Sequence, residues 1–176
     1  MGDAAKRELL ARLARLGPMP DDAAATQAQL DEFGDIIDRV GAAPPDPAYI
    51  RPLLAAFGYG DGFGLYAHGA NALLRQDRAA VVEAALDALE AGRDGPRQWA
   101  MEALRRMREG DRGDPPPSAR EVRLAEAALR GPARVADAAV YWAYWVGGPV
   151  GRRALELGSR VATGEARAQA AELLSG

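Results

Sequence analysis

The sequence predicts an all-α protein without a β-sheet, and three observations lead to this expectation. Apolar residues recur in segment after segment at the i, i+3, i+4, i+7 spacing of a helix that buries one face. No segment alternates apolar and polar residues with the β-branched enrichment of a strand. Clusters of glycine and proline separate the helical segments, which leaves room for about ten helices of roughly 10–20 residues.

Five apolar stripes mark the clearest of these helices, and each repeats every three or four residues. This spacing places apolar side chains on one helical face, where they can pack against a neighbouring helix. The stripes consist of Phe33, Ile36, Ile37 and Val40; Ile50, Leu53, Leu54 and Phe57; Val82, Ala85, Leu86 and Leu89; Ala100, Ala103, Leu104 and Met107; and Val150, Ala154, Leu157 and Val161.

The segments between the stripes contain residues that stop helices. The stretch GPMP at 17–20 separates a first helix from a second, and GAAPPDP at 41–47 is a stronger stop because proline lacks an N–H donor. The stretches GDRGDPPP at 110–117 and VGGPVG at 146–151 interrupt the pattern in the same way. Pro52 lies inside a predicted helix, so it either kinks that helix or belongs to its first turn.

The composition limits the classes of function. The chain has 176 residues, of which 48% are hydrophobic and 27% are charged, as in ordinary globular domains. It has no cysteine, so disulfides and thiolate metal ligands are excluded. The formal net charge of −3 does not suit a non-specific nucleic-acid binder. A charged N-terminus and the lack of a long apolar run predict a cytoplasmic protein that does not enter membranes.

The chain contains an internal repeat of roughly 33–36 residues. The stretch DGFGLYAHGANAL at 61–73 aligns with DGPRQWAMEALRR at 94–106, and GPARVADAAV at 131–140 aligns with the latter as a third copy. Each copy follows an amphipathic helix, so the repeating unit is a helix, a turn and a second helix.

The second copy resembles a HEAT-type repeat, in which Asp, then Arg, then spaced small residues and Leu mark the second helix. The residues that carry the resemblance are Asp94, Arg97, Ala100, Ala103 and Leu104. Asp at the start suits a helix cap, and the two alanines let a neighbouring helix approach closely. The first copy departs from this pattern, because a Phe–Gly pair replaces Pro–Arg and an asparagine replaces the leucine.

The resemblance implies a right-handed α-solenoid of about five antiparallel helix pairs. We expect one α-helical repeat domain over residues 1–176. Within it, residues 1–43 form an N-terminal helical pair, 47–146 the HEAT-like core repeats and 149–176 the C-terminal capping helices. Such repeats specify architecture and are nearly silent about function.

The stretch FGYGDGFGLY at 57–66 has glycines at alternate positions and raises the question of a phosphate-binding loop. A dinucleotide fingerprint needs the spacing G-x-G-x-x-G between a strand and a helix, and both spacing and context fail here. The repeat predicts a turn between two helices instead. Gly58 or Gly60 is expected to take the left-handed cap of the first helix, and Asp61 to cap the second.

Two aromatic residues of this turn, Tyr59 and Phe63, are expected to be exposed, because the turns of a solenoid line one edge. With Asp61 they are candidates for contact with a partner.

The sequence contains few of the histidine and nucleophilic residues that commonly form a catalytic site. The single histidine, His68, points away from the apolar stripe and has no cluster of ligands or nucleophiles around it. We interpret it as a solvated or interface residue. Asn71 stands where the next repeat has an apolar residue, so it is either satisfied by local hydrogen bonds or faces a partner. No cofactor or metal site is expected.

The stretch YWAYW at 141–145 concentrates aromatic residues. Trp142 shares the apolar face of its helix and is expected in the core, whereas Tyr144 points the opposite way. Tyr141 and Trp145 flank the stripe, so the cluster is either core packing or an interface hot spot.

Acidic residues concentrate around the second helix and form either a solvated face or a surface that meets a basic partner. They are Asp21, Asp22, Asp31, Glu32, Asp35 and Asp38. The candidates retained for contact with a partner are Asp31, Asp35 and Asp38.

Two functions follow as alternatives. The first is a non-catalytic protein–protein interaction module, since a solenoid offers a long concave surface and no catalytic constellation is evident. Small, acidic HEAT-like proteins are similar to some bacterial immunity proteins, which occlude a cognate toxin, and the stretch GYGDGFGLYA resembles repeats of such proteins. We favour this function, with another protein as the partner and no nucleic acid.

The second alternative is an enzyme. Some HEAT-like proteins are DNA glycosylases of the alkylpurine type, which use Trp, Asp and Arg on a concave basic surface. The corresponding candidates in this chain are Trp99, Arg97, Trp142 and Asp137. The negative net charge opposes this alternative. No stripe of basic residues runs along successive repeats, which also opposes it.

Overall fold

A computed structural model describes residues 2–110 and 115–175 of the chain. Within these ranges the chain forms ten α-helices, two short 3₁₀ turns at Asp22–Ala24 and Pro47–Tyr49, and no strand, which confirms the all-α prediction. The helices are α1 (Asp3–Leu16), α2 (Gln27–Ala42), α3 (Ile50–Ala56), α4 (Leu65–Leu74), α5 (Arg78–Ala91), α6 (Asp94–Gly110), α7 (Ala119–Ala128), α8 (Ala133–Val146), α9 (Gly148–Val161) and α10 (Gly164–Ser175).

Three helices begin at side chains that accept a hydrogen bond from the first turn. Thr26 and Gln29 form a reciprocal capping box at α2. Asp77 accepts from the Ala80 N–H at α5, and Ser118 accepts from the Glu121 N–H at α7. These caps satisfy N–H groups that have no partner inside the helix, so they set where each helix starts.

The predicted breaks at 17–20, 41–47 and 146–151 each contain or directly follow the end of one helix and contain or precede the start of the next. The fourth predicted break, at 110–117, is only partly described. Pro52 lies in the first turn of α3, which begins at Ile50, so the helix needs no kink to accommodate it. The stretch at 110–117 follows α6, and its residues 111–114 lie outside the described part of the chain.

The helices contact one another in two alternating series. Among odd-numbered helices, α1 contacts α3, α3 contacts α5, α5 contacts α7 and α7 contacts α9. Among even-numbered helices, α2 contacts α4, α4 contacts α6, α6 contacts α8 and α8 contacts α10. Consecutive helices such as α5 and α6, or α9 and α10, contact each other across the two series. We call these two series the odd-numbered layer and the even-numbered layer. Most residues of the predicted apolar stripes are buried, whereas Val150 is 38% exposed.

Four aromatic rings form the centre of the N-terminal half of the core. Phe57 packs against Phe33, Tyr66 and Trp99, with ring centroids 5.7, 5.6 and 5.2 Å away. All four rings are almost completely buried. Burial raises the pKa of Tyr66 to about 12, so its hydroxyl stays protonated across the physiological range. The cluster joins α2, α4 and α6 through the residue that ends α3.

The glycine-rich loop of residues 57–64 is a turn between α3 and α4, as the repeat predicts, but its capping differs from the expectation. The residue after α3 is Phe57, with an extended backbone, so neither Gly58 nor Gly60 caps that helix. Gly64, in the left-handed region, precedes α4 in place of Asp61. The Asp61 carboxylate accepts the Phe63 N–H at 2.8 Å instead, in an Asx turn, while the Asp61 carbonyl accepts the Tyr66 N–H of the first turn of α4 at 3.1 Å.

Two distant side chains hold this loop in place. The Asp22 carboxylate accepts the N–H groups of Asp61 and Gly62 at 3.1 and 2.8 Å. The Gln98 amide accepts the Gly60 N–H at 3.0 Å and donates to the Gly60 carbonyl at 2.7 Å. The N–H groups that a phosphate would need are therefore bound to the chain's own carboxylate and amide oxygens.

A buried polar group joins α6, α7 and α8. Glu121 is 2% exposed and accepts from Arg108 at 2.7 Å and from the Trp142 indole N–H at 2.8 Å. Arg108 is 6% exposed. Burial of a charge is tolerated when it is paired and hydrogen-bonded, as both charges are here.

We predict that Gly62→Ala destabilises the protein by about 2–4 kcal/mol. Its φ of 58° lies in the left-handed region, and a Cβ there would lie 2.7 Å from the Tyr66 ring. Gly64→Ala is the matched control, since its φ is also positive but no atom lies within 4 Å of the added Cβ. Its cost should be about 1 kcal/mol. Urea unfolding followed by circular dichroism measures both, and equal costs would contradict the predicted clash with Tyr66.

We predict that Glu121→Leu costs about 3–5 kcal/mol, because it leaves the Arg108 guanidinium buried without its partner. The double variant Arg108→Met/Glu121→Leu removes both charges and should recover a large part of that loss. Urea unfolding of the two single variants and the double variant forms a double-mutant cycle. A double variant as unstable as the sum of the two single variants would show that the charges do not interact.

Candidate functional site

The candidates for contact with a partner all lie on even-numbered helices or in the loop of residues 57–64. Asp31, Asp35 and Asp38 lie on α2; His68 and Asn71 on α4; Tyr141, Tyr144 and Trp145 on α8; and Tyr59, Asp61 and Phe63 in the loop. We call the exposed side of α2, α4, α6 and α8, with this loop, the even-helix face.

An open groove runs between α2 and α4, and we call it the α2–α4 groove. It has a volume of about 750 Å³, and apolar atoms of Leu30, Leu65 and Ala25 line it beside Gly34. Gly34 leaves the space open, because a Cβ at this position would already contact the Leu65 side chain at 3.6 Å. Phe63 stands at the end of the groove, and Asp31 and Asp38 line its side.

The three aspartates of α2 differ in how far they are neutralised. Asp35 accepts from Arg12 at 2.6 Å and from Arg39 at 3.1 Å. The hydrogen bond from Arg12 lowers the pKa of the Asp35 carboxyl, with Arg39 contributing further. Among the described residues, Asp31 accepts only from the neutral Gln27 amide, at 2.7 Å. Asp38 is exposed, and its nearest basic group is the His68 imidazole at 3.7 Å. Asp31 and Asp38 therefore give the groove its negative charge.

Phe63 is the most exposed large apolar side chain among the described residues, at 71%. Its φ of 56° lies in the left-handed region, the only such value for a described residue other than glycine. A bulky residue in this conformation is strained, so the loop holds the ring in solvent at some cost. The prediction that Phe63 is exposed is confirmed.

Tyr59, in contrast, is half-buried and packs against the core. Its hydroxyl accepts the Arg134 N–H at 3.3 Å, which ties the loop to the start of α8. The expectation of an exposed Tyr59 is wrong, because the loop folds back against α8 instead of extending along the edge.

A chain of polar contacts crosses the even-helix face from α2 to α6. Asp38 lies beside His68 on α4, and Asn71 follows His68 on the same helix. The Asn71 side chain accepts from Arg106 at 2.9 Å. Arg106 also donates to Glu102, one turn earlier on α6, at 2.7 Å. Asn71 is therefore exposed and satisfied by a hydrogen bond to the neighbouring helix.

A second concavity, with a volume of about 360 Å³, lies between α6 and α8. We call it the α6–α8 cavity. Trp99, Glu102 and Arg105 line it from α6; Arg134, Asp137 and Tyr141 from α8; and Asp61 from the loop. Arg134, Asp137 and Tyr141 are three and four residues apart, so they lie on one face of α8. This polar stripe could have indicated the cavity from the sequence, but it is not among the predicted sites.

The charged groups of this cavity are not all compensated. Arg105 donates two hydrogen bonds to Glu102, at 2.7 and 2.8 Å, so this pair is saturated. Asp137 is half-buried, and among the described residues it has no hydrogen bond or ion pair within 4 Å. Burial raises the pKa of the Asp137 carboxyl, and the negative charges of Glu165 and Glu102 raise it further.

The aromatic cluster on α8 divides between core and surface. Trp142 is fully buried and donates to Glu121, which confirms its predicted place in the core. Tyr141 lines the α6–α8 cavity. Tyr144 is 41% exposed, and its ring packs edge-on against Trp145 with centroids 5.1 Å apart. The cluster therefore contributes both to the core and to the even-helix face.

The four candidates for a glycosylase occupy different places. Trp99 and Asp137 line the same cavity. Arg97 lies 4.0 Å from Asp94 on its own helix, and Trp142 is buried against Glu121. Within the described ranges no group of three or more His, Cys, Asp or Glu side chains is placed to hold a metal ion.

The odd-numbered layer carries a different pattern of charge. Arg120 on α7 bonds Glu83, Asp87 and Glu90 on α5, and Arg51 on α3 also pairs with Asp87. The hydrogen bond from Arg120 lowers the pKa of both Asp87 and Glu90. The three carboxylates of α5 are therefore engaged by arginines.

None of the described helices has the length and hydropathy that a membrane span requires. No family model, curated protein or solved structure matches the chain.

We predict that Asp137→Asn stabilises the protein at pH 7, by up to about 1 kcal/mol after allowance for its half-exposed position. The pKa of the Asp137 carboxyl is higher in the folded than in the unfolded protein, so the folded state prefers the protonated form. The wild-type protein therefore loses stability as the pH rises above 3.8, the ordinary pKa of an aspartate. Thermal unfolding from pH 3 to pH 7 should show the variant's advantage growing with pH. The exposed Asp38→Asn is the control, and an equal gain there would contradict the prediction.

Proposed function

We propose that the protein is a non-catalytic protein-binding module whose even-helix face binds a basic segment of another protein. The observation that carries this proposal is the α2–α4 groove, which the exposed Phe63 side chain lines together with Asp31 and Asp38. Among the described residues neither carboxylate has an arginine partner, whereas the third aspartate of α2 is engaged by two arginines. Such a groove suits an apolar segment flanked by Lys or Arg.

The architecture in this proposal is a right-handed α-solenoid of five helix pairs, α1/α2 to α9/α10. The alternating contacts support it, because each helix packs against the helix two positions along the chain. In such a stack one layer of helices presents a continuous surface to a partner.

The difference in charge between the two layers supports the choice of face. Carboxylates on α5 are bound by Arg120, so they have little left to offer a basic partner. On the even-helix face the negative charge of Asp31, Asp38 and Asp137 is not compensated in this way. Uncompensated surface charge steers an oppositely charged partner and speeds association.

A narrower form of the proposal is an immunity-type protein that occludes a basic toxin. An acidic groove with an aromatic anchor supports this form, because it mimics the charge of a substrate that a basic active site would bind. Under this form the bound partner should lose its activity.

The alternative, a DNA glycosylase, is favoured only by the shared position of Trp99 and Asp137 in the α6–α8 cavity. A DNA-binding surface needs basic residues that remain free for phosphates. On α6, both Arg105 and Arg106 are bonded to Glu102. The formal net charge of −3 also opposes it.

The proposal predicts that Phe63→Ala weakens binding of the partner at least about 30-fold, as expected of an interface hot spot. The partner is first captured from the source cell on the tagged wild-type chain and identified by mass spectrometry. Its affinity is then measured by calorimetry with the purified proteins. Asp31→Asn/Asp38→Asn should slow association and reduce its dependence on salt.

Glu83→Gln is the matched control, since Glu83 is an exposed acid on the odd-numbered layer. It should leave binding unchanged. A partner that binds the Phe63 and aspartate variants as tightly as the wild type would overturn the choice of face. DNA binding that weakens steeply with salt, without any protein partner, would favour the glycosylase.

A further inference from the structure

We propose that the α6–α8 cavity binds an organic ammonium or guanidinium group that carries a nearby carboxylate or carbonyl oxygen. The chemistry is that of a free basic amino acid or of an Arg or Lys side chain on another protein. The cavity is distinct from the α2–α4 groove, so its binding of a free basic amino acid does not rest on the proposed function, whereas its binding of a partner's side chain does.

The cavity has the size and the mixed lining of a small-molecule site. Its volume of about 360 Å³ falls in the range of roughly 300–1,000 Å³ that ligand pockets occupy. The aromatic side chains of Trp99 and Tyr141 form apolar parts of its wall. Charged groups from α6, α8 and the loop surround them, so polar contacts converge on one small volume.

The cation is assigned to Asp137 by the charges around it. Within the described part of the chain Asp137 has no hydrogen bond or ion pair within 4 Å, whereas Glu102 in the same cavity is paired with Arg105. Glu165 on α10 and Glu102 on α6 add negative potential, which Arg105 and Arg134 offset only in part. Asp61 lines the cavity from the loop, with one oxygen bonded to the Phe63 N–H. A cation seated here relieves an uncompensated carboxylate.

The oxygen of the ligand is assigned to two donors that line the same cavity: Arg134, one turn before Asp137 on α8, and Trp99 on α6. The guanidinium of Arg134 is exposed and forms no ion pair within 4 Å in the described part of the chain. The indole N–H of Trp99 is buried and has no hydrogen-bond acceptor among the described residues. An unsatisfied buried donor is costly, and an acceptor supplied by a ligand removes that cost. A simple cation would satisfy Asp137 and leave these donors unpaired.

The test uses calorimetric titration of the full chain with three probes at pH 7. L-arginine carries the cation and a free carboxylate, and agmatine carries the same guanidinium without the carboxylate. Arginine with its amino group acetylated and its carboxylate amidated presents the side chain as a protein would. We expect saturable binding of L-arginine, the blocked arginine or both at micromolar to millimolar concentration, with agmatine weaker.

Asp137→Asn should weaken binding at least about tenfold, because a charge-assisted hydrogen bond is lost. Its thermal unfolding midpoint shows whether the variant is folded. Arg134→Gln should weaken the binding of L-arginine and of the blocked arginine and leave the affinity for agmatine unchanged. A general loss of structure would weaken the binding of all three probes. Asp38→Asn removes the same charge from the α2–α4 groove and should leave all three affinities unchanged.

The relative affinity of the probes distinguishes the two sources of the ligand. Tighter binding of L-arginine than of the blocked form supports a free amino acid, and equal binding supports a side chain of a partner. The proposal is overturned if none of the three probes binds at 10 mM, or if Asp137→Asn binds them as tightly as the wild-type protein.

Discussion

The anchoring of the glycine-rich loop by Asp22 and Gln98 is the interaction on which the rest of the structure depends. The carboxylate and the amide hold the backbone of residues 60–62 against the segment before α2 and against α6. This contact needs glycine, since a Cβ at Gly60 would lie 2.3 Å from the Asp22 side chain. The α2–α4 groove lies on one side of the loop and the α6–α8 cavity on the other. Both concavities therefore depend on one set of backbone hydrogen bonds.

The buried group of Arg108, Glu121 and Trp142 has a similar role for the C-terminal half. It connects α6, α7 and α8, because Glu121 accepts from Arg108 and from the Trp142 indole N–H. Paired buried charges contribute little net stability but strongly disfavour arrangements that separate them. Here they fix the approach of α8 to α6, the two helices that form most of the cavity wall.

The two layers differ in what their charged side chains do. On the odd-numbered layer, one arginine of α7 binds three carboxylates of α5, so the charges join neighbouring helices. On the even-helix face, Asp31, Asp38 and Asp137 have no arginine partner among the described residues, and Phe63 is exposed to solvent. Surfaces that serve only stability rarely combine an exposed aromatic ring with uncompensated charge. This asymmetry is the physical basis for placing both proposals on the even-helix face.

The sequence by itself determined the helical class, the places where most helices stop and the core position of Trp142, because these follow from apolar periodicity and from glycine and proline. It also indicated that the loop of residues 57–64 is a turn and that Phe63 is exposed. Only the tertiary structure decided that Asp22 and Gln98 bind this loop, that Tyr59 turns back to α8 and that Asp61, Glu102 and Asp137 share a cavity. Local patterns report which face of a helix is buried, whereas these contacts join residues 35 to 76 positions apart and depend on how the helices stack.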